Sequence, residues 1–288
     1  MKTAAGRSAW RRAVGLLVSL ALGVLAAALH PHFDALERQT WDLRFLHRGT
    51  VSVPDNVVLI EIDEKSVTYE PWRNEPLVTW GAHYAAAVRH LTTAGVSAIG
   101  FDLIQRVSTE DLARSLGREL PWDQEFAQAL AETGNTVMAI ILEERGWVGP
   151  ANQLLYANGI ENVGAANFLE GRAVDPYAVV RGFKPDWQDE EGAQVPSLAV
   201  RLVEKHLGAV ARREGQVLRI GEIRVPLHRD GTVLINYAGP PRTLPRFSFV
   251  DIAEGRMPRG FDFRGKIALI GESYAGMQDL HLTPFSRR

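Results

Sequence analysis

Two carboxylates stand at the ends of buried, β-branched segments, a position typical of ligand-binding acids in α/β proteins. Asp63 ends the segment 57–63, and Asp102 lies near the end of 96–103. In open α/β sheets, ligands bind at the carboxyl ends of the strands. We therefore expect Asp63 and Asp102 to end neighbouring strands and, with Arg181 from a looser segment, to form a ligand-binding set. The structural alternative is that each aspartate caps the turn that follows it, while Arg181 only holds its own segment in place.

Glu272 and Ser273 follow the last buried segment and would reach a similar level at the same edge. Carboxylates that lie close together in a cleft raise one another's pKa, so a bound cation or the Arg181 guanidinium would stabilise them. Ser273 resembles the serine of a G-x-S-x-G nucleophile elbow, whose second glycine follows two residues after the serine. Here Gly276 comes three residues after it. The spacing favours a plain strand-to-loop turn, and the sequence predicts no catalytic residue.

Signatures of several other functions are absent from the sequence. It contains neither G-x-G-x-x-G nor a P-loop. It has no cysteine, which excludes disulfides, thiolate metal sites, iron–sulfur clusters and cysteine nucleophiles. The eight histidines show no metal-ligand spacing, so we predict neither a metal nor a cofactor. With 32 basic and 34 acidic residues, the net charge of −2 gives no sign of a general nucleic-acid binder.

Residues 13–29 form an uncharged apolar run, at the short end of the length that spans a bilayer as a helix. Basic residues precede this run, whereas the flank 30–34 has neither Lys nor Arg, which places the N-terminus in the cytoplasm. The predicted division is a cytoplasmic segment 1–12, a transmembrane helix 13–30 and an extracytoplasmic domain 31–288, on a bacterial cell membrane. A cleaved signal peptide and a buried helix are the alternatives.

Strand and helix patterns alternate after this segment. The predicted strands are 57–63, 96–103, 136–142, 232–237 and 266–271, with a hairpin over 217–227; the predicted helices run from Thr79 to Gly95, over 123–133, and from Pro196 to Gly208. This order predicts an α/β fold, with a mostly parallel, mixed sheet flanked by helices and preceded by one transmembrane helix. The stretch 145–195, rich in Gly, Pro and Asn, is predicted as a looser insert.

The order of these segments resembles the CHASE type-two family, the cyclase/histidine-kinase-associated sensory extracellular domains. The matching segments are WDLRF at 41–45, the run 58–64, GVSAIGFD at 95–102, VGAAN at 163–167, VVR at 179–181, the helix at Pro196, 230–231, LINY at 234–237 with Gly239, GKIALIG at 265–271, and Asp279 with Thr283 and Pro284. The resemblance therefore covers nearly the whole chain, and the order of the segments carries it.

The resemblance implies a periplasmic or extracellular input domain, which in the family precedes further membrane helices and a cytoplasmic cyclase, kinase or phosphodiesterase. It brings neither a catalytic residue nor an agreed ligand. Family members often have a Trp-Pro-rich segment with an arginine where this chain has EPLVTW at 75–80, so the role of that arginine is open. The chain stops at Arg288, and both a fragment of a longer receptor and a stand-alone sensor are open.

Trp41, Asp42 and Arg44 lie shortly beyond the apolar run and are the predicted signal-coupling residues. We expect the two charges to pair with the domain body at its surface. The alternative for Trp41 is that it only packs in the core.

These observations predict a membrane-anchored, extracytoplasmic sensory input domain of a bacterial signal-transduction receptor, with no catalysis of its own. Its expected partners are the membrane and an unidentified small ligand or envelope protein, without nucleic acid, and a homodimer is open. Two rivals from other classes are a secreted α/β hydrolase-like enzyme and a structural envelope protein. The missing nucleophile, metal and phosphate signatures disfavour the hydrolase.

Overall fold

The computed structural model describes residues 4–53, 55–115, 117, 122–143, 146–169, 175, 178–276 and 280–286. The chain forms two compact units. One comprises residues 1–49 with 284–288, and the other comprises residues 50–283.

The described residues form eight α-helices and fourteen strands. The helices are α1 (Ala4–Arg48), α2 (Glu64–Val67), α3 (Gly81–Thr93), α4 (Thr109–Ser115), α5 (Trp122–Thr133), α6 (Asn152–Asn158), α7 (Leu198–Leu207) and α8 (Phe249–Ala253). The strands are β1 (Val57–Ile62), β2 (Ala98–Asp102), β3 (Thr136–Glu143), β4 (Gly146–Val148), β5 (Val163–Ala165), β6 (Gly182–Phe183), β7 (Asp186–Gln188), β8 (Gln194–Pro196), β9 (Ala211–Glu214), β10 (Val217–Ile220), β11 (Ile223–Pro226), β12 (Val233–Leu234), β13 (Arg246–Ser248) and β14 (Ile267–Glu272).

A seven-stranded sheet forms the centre of the larger unit. Its order is β13-β1-β14-β2-β3-β4, with β5 also paired to β3. Every pairing in it is parallel except that of β4 with β3. The predicted α/β class with a mostly parallel, mixed sheet is therefore confirmed. The parallel strands end at one common edge, and this edge carries most of the candidate functional residues.

Helices cover both faces of this sheet. One row of side chains, Ile60, Ile270, Phe101 and Met138, is in register across four adjacent strands. This row belongs to the main core, together with apolar residues of α3, α5 and α8. The opposite face packs on α7. Because side chains alternate along a strand, each strand contributes to both layers, and this explains the nearly continuous apolar sequences.

Helix α7 approaches its face so closely that Gly164 must be glycine. A Cβ on Gly164 would lie 2.5 Å from the Leu198 Cα atom, which belongs to the backbone and cannot move aside. A Cβ on Gly100 would lie 2.8 Å from the Leu202 Cδ1 atom, at the end of a side chain that would have to shift. Gly164 therefore sets the distance between sheet and helix.

The predicted helix boundaries at 196–208 are nearly correct, and the structure explains them. Ser197 caps α7 because its side chain accepts a hydrogen bond from Val200 N. The helix ends at Gly208, which adopts the left-handed conformation with φ of 61°. Ser248 also precedes a helix, but its side chain makes no cap bond to α8. Its hydroxyl donates to Asp63 instead, at 2.7 Å.

Two parts of the sequence interpretation need correction. The stretch 145–195 is not simply a loose insert, because it contains helix α6 and strand β5 of the central sheet. The predicted strand 232–237 is reduced to Val233–Leu234, since its partner β6 is only two residues long. The hairpin over 217–227 is confirmed by the antiparallel pairing of β10 with β11.

Helix α1 is continuous through the apolar run 13–29 and stops at Arg48. Gly49 follows with φ of 69°, and its amide donates to the Phe45 carbonyl at 2.9 Å. Among the residues that the structure describes, no helix is both long and apolar enough to cross a membrane.

Candidate functional site

Asp63 follows β1 at the carboxyl edge and binds three groups with one oxygen. Its Oδ1 atom accepts hydrogen bonds from Ser66 N at 2.9 Å, Ser66 Oγ at 2.8 Å and Ser248 Oγ at 2.7 Å. The Ser66 hydroxyl in turn accepts from Val250 N at 3.2 Å. Asp63 therefore caps α2 and joins β1 to the β13–α8 connection. The capping alternative considered for this residue matches its contacts, while a contact with ligand stays a prediction.

Asp102 does not lie on a strand next to Asp63, because β14 is inserted between β1 and β2. The expectation of neighbouring strands is therefore wrong. Asp102 pairs in register with Gly271, and Gly271 pairs with Glu61. The alternation of side chains puts Glu61 and Asp102 on the α7 face. Glu272, one residue further along β14, lies in register with the buried Ile62 and so belongs to the opposite face.

Arg181 is bound within its own part of the chain. Its Nε atom donates to Asp175 Oδ2 at 2.7 Å, and both side chains are less than one tenth exposed. Nearby, the Tyr237 hydroxyl donates to the Val180 carbonyl at 2.7 Å, and burial raises the pKa of Tyr237 to about 12 even though the Arg181 charge lowers it. These contacts match the expectation that Arg181 orders its segment. Its predicted contact with ligand, like that of Asp102, is not tested by them.

A cavity of about 250 Å³ opens at the carboxyl edge on the face that carries Glu272. Its inner wall is aromatic and consists of Tyr84 from α3, Phe101 from β2 and Phe126 from α5. These three side chains are at most 5% exposed. Glu272 and Arg106 are the charged residues among the described residues that line it. The cavity therefore combines an apolar wall with one acid and one base, as small-molecule sites commonly do.

Glu272 contributes to raised pKa values of the two tyrosines near it. Burial, followed by the negative charge of Glu272, raises the pKa of the Tyr84 hydroxyl well above its usual value. Burial also raises the pKa of Tyr274, with further contributions from the Glu272 charge and from a hydrogen bond to that carboxylate. The Tyr84 hydroxyl donates to the Leu77 carbonyl at 3.4 Å, which is long for such a bond. Tyr84 is thus a neutral donor beside the Glu272 carboxylate.

The loop that follows β2 supplies Arg106 and is held by a buried acid. Asp123 at the start of α5 is fully buried and accepts from Thr109 N at 2.7 Å and from Ser108 Oγ at 3.0 Å. The Gln105 side chain donates to the Val78 carbonyl at 3.1 Å, and the Gln105 carbonyl accepts from Ala151 N at 2.8 Å. This network fixes both ends of the loop segment that carries Arg106.

Ser273 does not have the surroundings of a nucleophile. Its amide donates to the Ile62 carbonyl at 3.0 Å, and its side chain is exposed. Among the described residues, no histidine is hydrogen-bonded to it. A serine nucleophile requires an adjacent base to activate it. The geometry agrees with the strand-to-loop turn expected from the glycine spacing.

The predicted coupling residues lie near the end of α1. Asp42 is 3% exposed, Trp41 is half-buried and Arg44 is exposed. The expectation of an exposed charge pair is therefore wrong for Asp42, which is buried. Whether the three residues transmit a signal is a separate question and stays a prediction.

The sequence does not identify Tyr84 and Arg106 as cavity residues, and it identifies Glu272 only in part. The sequence predicts Glu272 at the carboxyl edge of the sheet, but it does not show on which face of the sheet Glu272 lies. Tyr84 lies on the apolar side of a correctly predicted helix, where an aromatic residue normally indicates core. Arg106 follows a predicted strand, and the sequence around it contains no recognisable motif. A polar residue three to four positions after a buried strand was the available signal, and it was weak.

The chain matches the family model described as CHASE2 domain over residues 16–288. No curated protein and no solved structure matches it. The family match confirms the resemblance inferred from the order of the sequence segments. CHASE2 domains are extracellular sensory domains of signalling receptors. Because the match covers almost the entire sequence, this chain belongs to the CHASE2 domain family.

Proposed function

We propose that this chain is the extracytoplasmic input domain of a bacterial receptor, anchored by α1 in the cell membrane with its N-terminus inside. Its output would be the activity of a cytoplasmic cyclase or kinase outside this chain, and the domain itself would not catalyse a reaction. The observation that carries the proposal is the family match over residues 16–288. The family is sensory, and this sequence carries neither a nucleophile nor a metal signature. Recognition therefore fits the chain better than catalysis does.

The anchoring part of the proposal is supported by helix α1. Its side chains are described from Val14 to Ala27 within the apolar run, and they are exposed on all sides. Leu16, Leu17 and Leu20 are 73%, 65% and 66% exposed. A helix that is apolar all round is suited to a core or a bilayer rather than to water. The 17 uncharged residues and the basic N-terminal flank support a span with that orientation.

Signal transfer would start at the carboxyl edge of the sheet, where the predicted ligand contacts Asp63 and Asp102 lie. Trp41, Asp42 and Arg44 are the proposed coupling residues between the anchor and the output. Burial of Asp42 supports this role, because a buried carboxyl group must be held by partners, so a change in those partners acts directly on the helix that carries it. A monomer and a homodimer both allow this mechanism.

Membrane extraction and the mass of the mature protein test the anchor. We expect the full chain to stay in the membrane fraction after a carbonate wash and to be released by detergent. Its intact mass should include residues 1–29. A released protein that begins near residue 30 would show a cleaved signal peptide and would contradict the proposal. A Leu17→Arg variant should weaken retention, whereas Leu43→Arg, an exposed position beyond the run, should not.

A further inference from the structure

The small antiparallel sheet formed by β9, β10 and β11 has one covered face and one outer face. Leu218 and Ile220 of β10 are buried and pack with Val200 of α7. Because side chains alternate along a strand, Arg219 between them lies on the opposite face, away from this core. The side chain of Arg219 is 41% exposed. The outer face is therefore in contact with solvent.

Three arginines lie side by side across this outer face. Arg219 of β10 is in register with Arg212 of β9 and with Arg224 of β11. Residues directly opposite each other in an antiparallel pair share a face, and their Cα atoms lie about 4.5–5.5 Å apart, so the three side chains start within about 10 Å. Arg212 and Arg224 are exposed. These three residues form a straight arginine row.

The protein leaves the charge of the arginine row largely uncompensated. Like charges directly opposite each other on neighbouring strands destabilise a sheet. Glu214 is the acid on the same face, and its Oε1 atom lies 3.4 Å from Arg219 Nε, which makes no hydrogen bond to a described residue. In the part of the chain that the structure describes, neither Arg212 nor Arg224 has an ion-pair partner. A bound anion would relieve the repulsion along the row.

The spacing of the row favours an anion with several phosphate groups. A guanidinium group donates two parallel N–H bonds to a phosphate or to a carboxylate. A carboxylate holds both oxygens in one plane, whereas a phosphate group spreads its free oxygens out of a plane and can accept from arginines on two sides. Three arginines in a row leave two gaps between neighbours. The row therefore matches at least two linked phosphate groups better than a single one.

The arginine row is a line of charge rather than a broad basic plane. The neighbouring positions on the same face are Glu214, Val217 and Pro226, which are in register with one another, and Glu222 lies in the turn after β10. A flat anionic bilayer would bring these two glutamates against its own negative charge, whereas an extended chain covers only the row. The face carries no aromatic residue on which a base of single-stranded nucleic acid would stack.

We propose that the outer face of β9, β10 and β11 binds a soluble molecule with a chain of linked phosphate groups. The chain lies along the arginine row, across the three strands, and each gap between neighbouring arginines takes a phosphate group. This surface is separate from the cavity at the carboxyl edge, since the two share no lining residue. The assignment goes beyond the sensory function proposed above and does not require it.

Binding of fluorescently labelled inorganic polyphosphate to the full chain, in a neutral detergent without divalent cations, tests this assignment. As competitors, orthophosphate, pyrophosphate and tripolyphosphate should be increasingly effective, because each added phosphate group contacts a further part of the row. The logarithm of the binding constant should fall with the logarithm of the salt concentration with a slope of about −2 to −3, as expected for three phosphate contacts at about −0.7 to −0.9 each.

Variants that remove one charge locate the surface. Arg212→Gln and Arg224→Gln should each weaken binding about threefold or more and reduce the salt slope by about one. The matched control is Arg213→Gln, because Arg213 is exposed and adjacent in sequence but is in register with Leu218 on the opposite face. It should change the affinity less than about twofold. Without polyphosphate, neither Arg212→Gln nor Arg224→Gln should lower the Tm, since each removes a like-charged neighbour of Arg219.

Several results would overturn the assignment. It fails if polyphosphate does not bind, if orthophosphate competes as well as tripolyphosphate, or if Arg213→Gln weakens binding as much as Arg212→Gln. Equal competition by poly-L-glutamate would indicate an acidic protein partner instead. Displacement of polyphosphate by phosphatidylglycerol in the detergent micelle would indicate a bilayer, and either result contradicts the proposal. None of these results depends on topology or output, so the sensory proposal fails or succeeds separately.

Discussion

Replacing Asp63 by alanine should destabilise the domain, because the carboxylate joins three elements of the fold. The variant loses the cap bond to Ser66 N, which is worth about 1 kcal/mol. It also loses the bonds from the hydroxyls of Ser66 and Ser248, each worth about 1 kcal/mol. Ser66 is fully buried, but its hydroxyl keeps a contact with Ser248 at 3.2 Å, so the loss is partial. The expected total is about 2–4 kcal/mol.

For a unit of this size, 1 kcal/mol changes the Tm by about 2–4 °C, so the Tm of Asp63→Ala should fall by about 5–15 °C. Circular dichroism of the full chain in detergent during heating measures this change. Asp63→Asn keeps an oxygen that can accept from Ser66 N and should lose less than half as much. Asp262→Ala is the control, because Asp262 is exposed and, among the described residues, is hydrogen-bonded only to Arg264 in its own turn.

A Tm of Asp63→Ala within about 2 °C of the parent would refute the capping role of Asp63, since the loss of a network worth about 2–4 kcal/mol would lower the Tm by more than that. A second comparison addresses the predicted ligand contact. If Asp63→Asn keeps the parent Tm but abolishes the signalling response of a receptor that carries this domain, Asp63 acts in sensing rather than in folding.

Three further changes have defined outcomes. Ser273→Ala should leave turnover of generic ester and phosphate substrates unchanged, and a clear loss of turnover would support the hydrolase alternative. Asp42→Ala should lower the free energy of unfolding by about 1–3 kcal/mol because Asp42 is buried, whereas Arg44→Gln should change it little; equal effects in urea denaturation would contradict this. Burial acts to raise the pKa of Asp230, but hydrogen bonds from Thr232 and His228 lower it to about 2. The stability that Asp230 contributes should therefore be present above its ordinary pKa of 3.8 and be lost as the pH falls towards 2, so the Tm difference between parent and Asp230→Asn should vanish there.

The sequence predicted the long elements of this fold well because their patterns are local. The β-branched run of β1 and the run 266–271 of β14 belong to strands of a parallel sheet that has helices on both faces, and such strands read as nearly continuous apolar segments. Strands of two or three residues, such as Val163–Ala165, are too short for a period to be detected. That is why part of the central sheet was assigned to an insert.

The candidate site was harder to predict than the fold, because strand order is not a local property. β14 comes late in the chain yet lies between β1 and β2, which separates Asp63 from Asp102. The face of Glu272 depends on its register with Ile62, and one residue of slip would reverse it. Tyr84 and Arg106 converge on Glu272 only after helix α3 and the loop after β2 have packed on the sheet.

Labelling of single cysteines in intact cells tests the central claim, an extracytoplasmic sensory domain behind an N-terminal anchor. The parent chain has no cysteine, so each introduced thiol is unique. Ser115→Cys is at an exposed position of α4, and Ser8→Cys precedes the apolar run. With a membrane-impermeant maleimide, Ser115→Cys should react in intact cells, and Ser8→Cys should react only after the cells are permeabilised. Labelling of Ser8→Cys but not of Ser115→Cys in intact cells would contradict the account.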